Sequence, residues 1–143
     1  MTVEDVEPLF LSVEEVLALH EDQLRLFGGS GGLRDRGVLE AAIAMPAATF
    51  DGAYLHSDLF EMAAAYAFHI AEGQPFLDGN KRATLNAALV FLDLNGWLVA
   101  DPDMRLYDGM IGFATGEFDK AQFAELLRSL SAALGETEDG HEP

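Results

Sequence analysis

GQPFLDGNKRATLNAALVF, residues 73–91, joins a polar loop directly to an apolar helix. Gly79 permits backbone angles that other residues avoid, so the helix should begin at residue 79 or 80. The N–H groups of Asn80, Lys81 and Arg82 would then have no intrahelical acceptor and would lie at the positive end of the helix dipole. Such N–H groups bind anions, so the stretch predicts an anion site at a helix N-terminus.

The side chains around this site indicate which anion it suits. Lys81 and Arg82 add two cations, and an arginine can bind a phosphate through two parallel hydrogen bonds. Asn86 lies one turn after Arg82 and could add an amide. Asp78 would repel a phosphate unless a divalent cation lay between them, and Mg²⁺ suits carboxylate and phosphate oxygens. The residues therefore predict a Mg-nucleotide site, while a solvated turn with an exposed Lys-Arg pair is the alternative.

Periodicity and capping residues predict an all-α protein. Ser12 with Glu15 forms a capping box, and Ser57 and Asp119 are expected to cap two later helices. The predicted helices span about residues 13–27, 35–44, 57–73, 80–95, 102–114 and 119–134. The third and fourth are apolar on nearly every face, which is typical of central helices. We expect one domain over residues 1–143, with a disordered polar tail at 135–143.

Three short segments do not fit a helix. Residues 47–54 are predicted to form an irregular loop or a small extended flap, and residues 97–100 a short extended piece. The glycine-rich residues 28–32 could cradle a phosphate, but no strand precedes them and no Gly-Lys-Ser/Thr follows. We interpret them as a flexible connector.

The charge balance excludes several classes of partner. The chain has 25 acidic and 8 basic residues, a formal net charge of −17. Nucleic acids and anionic membranes would be repelled, so we expect neither as a partner. The acidic surface favours solubility, and attraction of a basic partner is the alternative. With no cysteine, no long apolar run and no signal-peptide pattern, we expect a cytoplasmic protein.

Residues 74–82 also resemble a known signature. They are similar to the pattern His-x-Phe-x-Asp/Glu-Gly-Asn-Gly/Lys-Arg of the Fic/Doc (Fido) superfamily, and Lys81 is typical of its death-on-curing (Doc) branch. Residues 32–50 and 89–96 are similar to the N-terminal part and the central helix of Doc-like toxins. The resemblance implies a single-domain Fido fold of about six helices, with the signature loop between the two central helices and a short flap.

The resemblance also implies an activity and partners. Doc-like toxins use Mg²⁺ and ATP to phosphorylate a threonine of elongation factor Tu, and a Phd-type antitoxin restrains them. By position, Asp78 would hold the Mg²⁺. The phosphates would lie against Gly79, Asn80, Lys81 and Arg82, and residues 47–54 would form the flap that docks the target.

The departure from the signature is Gln74, which stands where the family has its general base, a histidine. An amide cannot accept the proton of the attacking hydroxyl, and losing a general base costs on the order of 10²–10⁴ in rate. We expect His69 to be a packed or hydrogen-bonded core residue, and His20 and His56 to be structural or exposed, rather than replacements for the base. The sequence leaves open whether Gln74 is natural or introduced. It also leaves open a catalytically dead pseudoenzyme that binds nucleotide or antitoxin, and a Fic-like nucleotidyl (AMP) transferase.

Overall fold

A computed structural model describes residues 7–29 and 31–134. The predicted tail at 135–143 lies outside the described residues. The elements follow in chain order: α1 (Val13–Phe27), α2 (Arg36–Ala44), a 3-10 turn (Met45–Ala47), β1 (Thr49–Phe50), β2 (Ala53–Tyr54), α3 (Leu59–Gly73), α4 (Asn80–Leu94), β3 (Trp97–Val99), α5 (Arg105–Thr115), α6 (Lys120–Leu130) and β4 (Ser131–Ala133). Six helices with two small strand pairs confirm the mostly α fold in this part of the chain.

Helix α3 is the centre of the fold. It packs against α4 and α6 most extensively and also contacts α2 and α5. Alanines make up much of its buried surface, which lets the neighbouring helices approach closely. Its buried residues are Phe60, Met62, Ala63, Ala64, Ala65, Tyr66, Ala67 and Ile70. The prediction of a central helix from its apolar composition is confirmed.

Helix α4 is the second central helix, but it is less enclosed than predicted. Its buried residues are Ala83, Thr84, Ala87, Ala88, Phe91 and Leu92. Leu94, at the end of the helix, is 43% exposed, so the second apolar face is only partly covered. The helix ends at Asn95 and Gly96, as predicted, and Gly96 has the positive φ of 93° that such a C-terminus requires.

Side-chain caps fix most helix starts. The capping boxes of α1 (Ser12 with Glu15) and α6 (Asp119 with Gln122) are both present. The predicted cap of α3 was wrong by one residue. The Asp58 carboxylate accepts from the N–H of Glu61, while the N–H of Ser57 donates to the Glu61 carboxylate. A carboxylate competes well with a hydroxyl for this role, and the two adjacent candidates were not distinguished by sequence.

Two predicted boundaries near the C-terminus were also wrong. Helix α5 begins at Arg105 rather than at Pro102, because the Asp101 carboxylate accepts from the N–H groups of Arg105 and Leu106. Helix α6 ends at Leu130 rather than at residue 134. Residues 131–133 instead form β4, which pairs antiparallel with β3. A strand this short carries too little periodicity to be separated from the end of a helix.

The segment at 47–54 forms the extended flap that was one of its two predicted conformations. Strands β1 and β2 pair antiparallel around Asp51 and Gly52, which both have positive φ. Two such residues are typical of the tight turn that matches strand twist in a hairpin. Phe50 is 74% exposed on this flap.

Within the described residues, the helices are all too short or too polar to cross a bilayer. This finding is consistent with the absence of a long apolar run in the sequence.

The buried hydroxyl of Tyr66 gives a test of the core. The N–H of Leu11 donates to it at 2.8 Å, and burial raises the pKa of Tyr66 to about 12, so the phenol stays neutral. Tyr66→Phe leaves a buried N–H without its partner, and we expect the free energy of unfolding to fall by about 1–3 kcal/mol. Urea denaturation measures the change.

Tyr54→Phe is the matched control. Its hydroxyl donates to Glu7 at the surface at 2.8 Å, so its removal should change stability by less than about 0.5 kcal/mol. Equal losses in the two variants would contradict the assignment of Tyr66 to a buried structural bond.

Candidate functional site

The loop of residues 74–79 connects the C-terminus of α3 to the N-terminus of α4. Gln74 ends α3 in the left-handed conformation, with φ 47° and ψ 61°, and its N–H donates to the Ile70 carbonyl at 2.9 Å. Its side chain is exposed. Gln74, which stands at the first position of the predicted signature, therefore lies at the junction of the two central helices.

Residues 32–35 run beside the loop and fix its backbone. The N–H of Leu77 donates to the Gly32 carbonyl at 3.2 Å, and the N–H groups of Arg34 and Asp35 both donate to the Pro75 carbonyl. Leu33 and Phe76 form an antiparallel bridge between the two segments. The glycine-rich connector thus leads into a stretch that supports the loop, although Ser30 lies outside the described residues.

Arg34 binds the backbone where α3 ends and the loop begins. Its guanidinium donates to the Gln74 carbonyl at 2.7 Å and to the Gly73 carbonyl at 2.8 Å. These carbonyls belong to the last turn of α3, where a cation is stabilised by the helix dipole. Sequence reasoning assigned Arg34 no role. Its position in the stretch 32–50, which is similar to Doc-like toxins, was the only signal.

His20 holds the loop from the side of α1. Its ring stacks on Phe76 with centroids 3.7 Å apart, and its Nε2 lies 2.7 Å from the Asp78 carbonyl. A carbonyl only accepts, so Nε2 must carry a hydrogen. His20 is 4% exposed, which confirms that it is structural, although its contact with this loop was missed.

Asn80 closes the loop with its side chain. The Asn80 amide oxygen accepts from the N–H of Phe76 at 3.0 Å, and its nitrogen donates to the Phe76 carbonyl at 2.9 Å. The side chain is therefore used inside the protein, and Asn80 would contribute its backbone N–H to the predicted anion site.

The N-terminus of α4 has the features of an anion site. Gly79 has φ 80° and caps the helix without a side chain. The helix ladder begins with the N–H of Ala83, which donates to the Gly79 carbonyl at 2.9 Å, so the N–H groups of residues 80–82 precede it. A Cβ at residue 79 would lie 3.2 Å from His20 Nε2, in a backbone conformation that disfavours side chains.

Two cavities adjoin this helix terminus. The loop cavity, of about 530 Å³, lies along residues 77–79 and also contacts Arg82 and Tyr107. The interhelix cavity, of about 370 Å³, lies among α3, α4 and α5. Gln74, Asn80 and Lys81 line both cavities.

The two basic side chains differ in their surroundings. Lys81 is exposed and lines both cavities. Arg82 is exposed beside the loop cavity, and its guanidinium carbon lies 4.6 Å from the centre of the Phe27 ring. Asn86 is half-buried on α4 and lines neither cavity, so its predicted contact with a ligand stays a prediction.

Asp78 is the carboxylate of the site. Its Oδ1 accepts from the N–H of Gly79 at 2.8 Å, and the side chain lines the loop cavity. The described residues contain no group of three or more histidines, aspartates or glutamates arranged to hold a metal. A cation at Asp78 would therefore take its remaining ligands from water and from phosphate oxygens, which is how Mg²⁺ is commonly bound with nucleotides.

The other described histidines, His56 and His69, lie beside Lys120 and not beside the loop. Lys120 Nζ lies 3.2 Å from Nε2 of His69 and 3.4 Å from Nε2 of His56. A charged ammonium can only donate, so both imidazoles accept and are neutral. Neither histidine lines the two cavities, which supports their interpretation as structural residues.

Comparisons with known proteins identify relatives of this chain. The Fic/DOC family model matches residues 10–92. The chain is 42% identical over 121 residues to protein kinase doc of Escherichia phage P1, which covers 84% of this chain and 94% of that protein. It is 40% identical over 109 residues to toxin Doc of Mycolicibacterium smegmatis, covering 75% of this chain and 84% of that protein.

The Lys120 cluster should make stability depend on pH. Burial, then Lys120 and then His56 lower the pKa of His69 to about 4, and burial and Lys120 also lower the pKa of His56. Between pH 6.5 and 4 the unfolded chain binds protons that the folded protein excludes, so stability falls as the pH falls.

The variant His69→Gln isolates this contribution. We expect the difference in unfolding free energy between the parent and H69Q to shrink by more than about 1 kcal/mol between pH 6.5 and 4.5. Taking the difference cancels the titration of the carboxylates, which both proteins share. Parallel curves from denaturation at several pH values would contradict the lowered pKa.

Proposed function

Because this chain belongs to the Fic/DOC family, we propose that it is a Doc-like toxin of a toxin–antitoxin pair. It binds Mg-ATP at the N-terminus of α4 and transfers the terminal phosphoryl group to a hydroxyl of a translation factor, elongation factor Tu. A Phd-type antitoxin is its expected restraint, and the cytoplasm its expected location.

The arrangement around the loop cavity carries this proposal. Unpaired N–H groups at a helix terminus, Lys81, Arg82 and the Asp78 carboxylate all adjoin one cavity. Cations and helix N–H groups stabilise phosphate oxygens, and a metal between the phosphate and the carboxylate would offset their repulsion. When bound, Mg²⁺ would neutralise charge on the phosphate oxygens during transfer.

The kinase reaction is favoured over nucleotidyl transfer by Lys81. Fic-type nucleotidyl transferases resemble this chain but usually have glycine at that position, whereas Doc-like toxins have lysine. The relative from phage P1 is itself called a protein kinase. A lysine ammonium that lines both cavities can bind a terminal phosphate and orient it for the acceptor hydroxyl.

Transfer requires one bond to form, one bond to break and one proton to leave. The acceptor oxygen bonds to the terminal phosphorus, and the bond from that phosphorus to its bridging oxygen breaks, which releases ADP. Gln74 can orient the acceptor hydroxyl by a hydrogen bond but cannot take its proton, which must pass to water. Phosphoryl transfer depends mainly on positioning and electrostatics, so slow transfer remains with this residue.

Gln74 also favours a second function. A chain that keeps the anion site without a general base can act as a binding protein, holding nucleotide or antitoxin without turnover. Measuring nucleotide binding and phosphoryl transfer separately distinguishes a kinase from a protein that binds without turnover.

The first experiment is calorimetric titration of the protein with ATP, with and without Mg²⁺. We expect Mg²⁺-dependent binding that Asp78→Asn weakens about tenfold or more, because the amide removes the charge that holds the metal. Asp93→Asn, at an exposed carboxylate of the same helix, is the control and should bind as the parent does. No heat with ATP under either condition would overturn the proposed binding site.

The second experiment restores the base. Gln74→His should raise phosphorylation of purified elongation factor Tu by about 10²–10⁴-fold and make expression toxic in a bacterial host. Gln74→Asn is the matched control, because asparagine and histidine both tolerate the left-handed backbone of residue 74, while only histidine can accept a proton. Mass spectrometry identifies the added group, and an added nucleotidyl group would contradict the kinase assignment.

A further inference from the structure

The interhelix cavity has one polar group that nothing in the fold satisfies. Thr84 lies on α4 one turn after Lys81, is 0% exposed and lines this cavity. Its Oγ1 is buried and has no hydrogen-bond partner among the residues that the structure describes. A threonine in a helix commonly donates to the carbonyl four residues earlier, and that bond is not made here.

The rest of the cavity wall has an apolar part and a polar part, and the polar part is formed by Glu72, Gln74, Asn80 and Lys81. Phe68 and Phe113 meet edge to face with centroids 5.4 Å apart, and Met110 lies beside them. Lys81 and Gln74 lie where this cavity adjoins the loop cavity. The interhelix cavity thus combines an aromatic side with one buried hydroxyl and a polar edge where Lys81 also lines the loop cavity.

We propose that this cavity receives the base of the bound nucleotide and that the Thr84 hydroxyl forms a hydrogen bond with the polar edge of that base. A flat heteroaromatic ring matches an apolar aromatic wall, and the phosphates attached to it would extend past Lys81 into the loop cavity. The inference rests on the proposed nucleotide binding and adds a specificity-determining residue to it.

Stability measurements can distinguish a ligand-binding role of Thr84 from a packing role, because its hydroxyl is buried without a partner. A buried hydroxyl without a partner destabilises the free protein, so replacing it with a methyl group of the same shape should not lower stability. A residue retained for packing alone would instead show parallel effects on stability and on binding. Thr84 is thus a group whose hydrogen bond is completed by the ligand.

The experiment uses three proteins and two probes. The parent, Thr84→Val and Thr84→Ser are each titrated with Mg-ATP and with Mg-tripolyphosphate, which has the phosphates but no base. Thermal unfolding without ligand is measured for each protein. Valine removes the hydroxyl and keeps the shape, whereas serine keeps the hydroxyl and loses a methyl group.

We expect Mg-ATP to bind T84V about five- to tenfold more weakly than the parent, the loss of about one hydrogen bond. Tripolyphosphate should bind both equally. T84S should keep the parent affinity for ATP. The thermal midpoint without ligand should be at least as high in T84V as in the parent and lower in T84S, so that stability and affinity rank the variants differently.

Two results would overturn the inference. Equal ATP affinity in T84V and the parent would mean that the hydroxyl does not contact the ligand. Parallel losses for ATP and tripolyphosphate would assign Thr84 to the phosphates or to general packing. Failure of the parent itself to bind either probe would instead remove the proposed function, so the two failures are distinct.

Discussion

The backbone of residues 74–79 must be held in place without the help of a helix or a sheet. It lies between two central helices, so its polar groups need partners from elsewhere in the chain. Arg34 supplies them at the end of α3, His20 at the Asp78 carbonyl and Asn80 at Phe76. These three side chains therefore fix the backbone on which the proposed anion site depends.

Electrostatics explain why such a site would be specific for a metal-bound phosphate. The chain carries a net charge of −17, so a free polyphosphate is repelled as it approaches. A phosphate with its magnesium carries less charge, and under the proposed function Asp78 would attract that metal at short range. Arg82 lies over the Phe27 ring, where a cation–π contact restrains a side chain that would otherwise be free to turn towards solvent.

Sequence reasoning predicted the parts whose signal is local or repetitive. Apolar composition identified α3 as central, capping residues located the starts of α1 and α6, and Gly79 located the start of α4. The partners that come from far along the chain were not predictable, because nothing near Arg34 or His20 indicates that either contacts the loop. Thr84 was missed for another reason. A single polar residue in a largely apolar helix indicates a ligand contact only when its side of the helix is known to border a cavity.

The hydrogen bond from His20 to Asp78 spans 58 residues, and the bond from Arg34 to Gln74 spans 40. Closing such long loops is slow compared with forming α3 and α4, which meet through a short connection. When the complete chain refolds, the two central helices can therefore pair before α1 and α2 dock on the loop. In that order of assembly the loop would gain its supports only after α1 and α2 have docked, and until then its surface would be open to a partner protein.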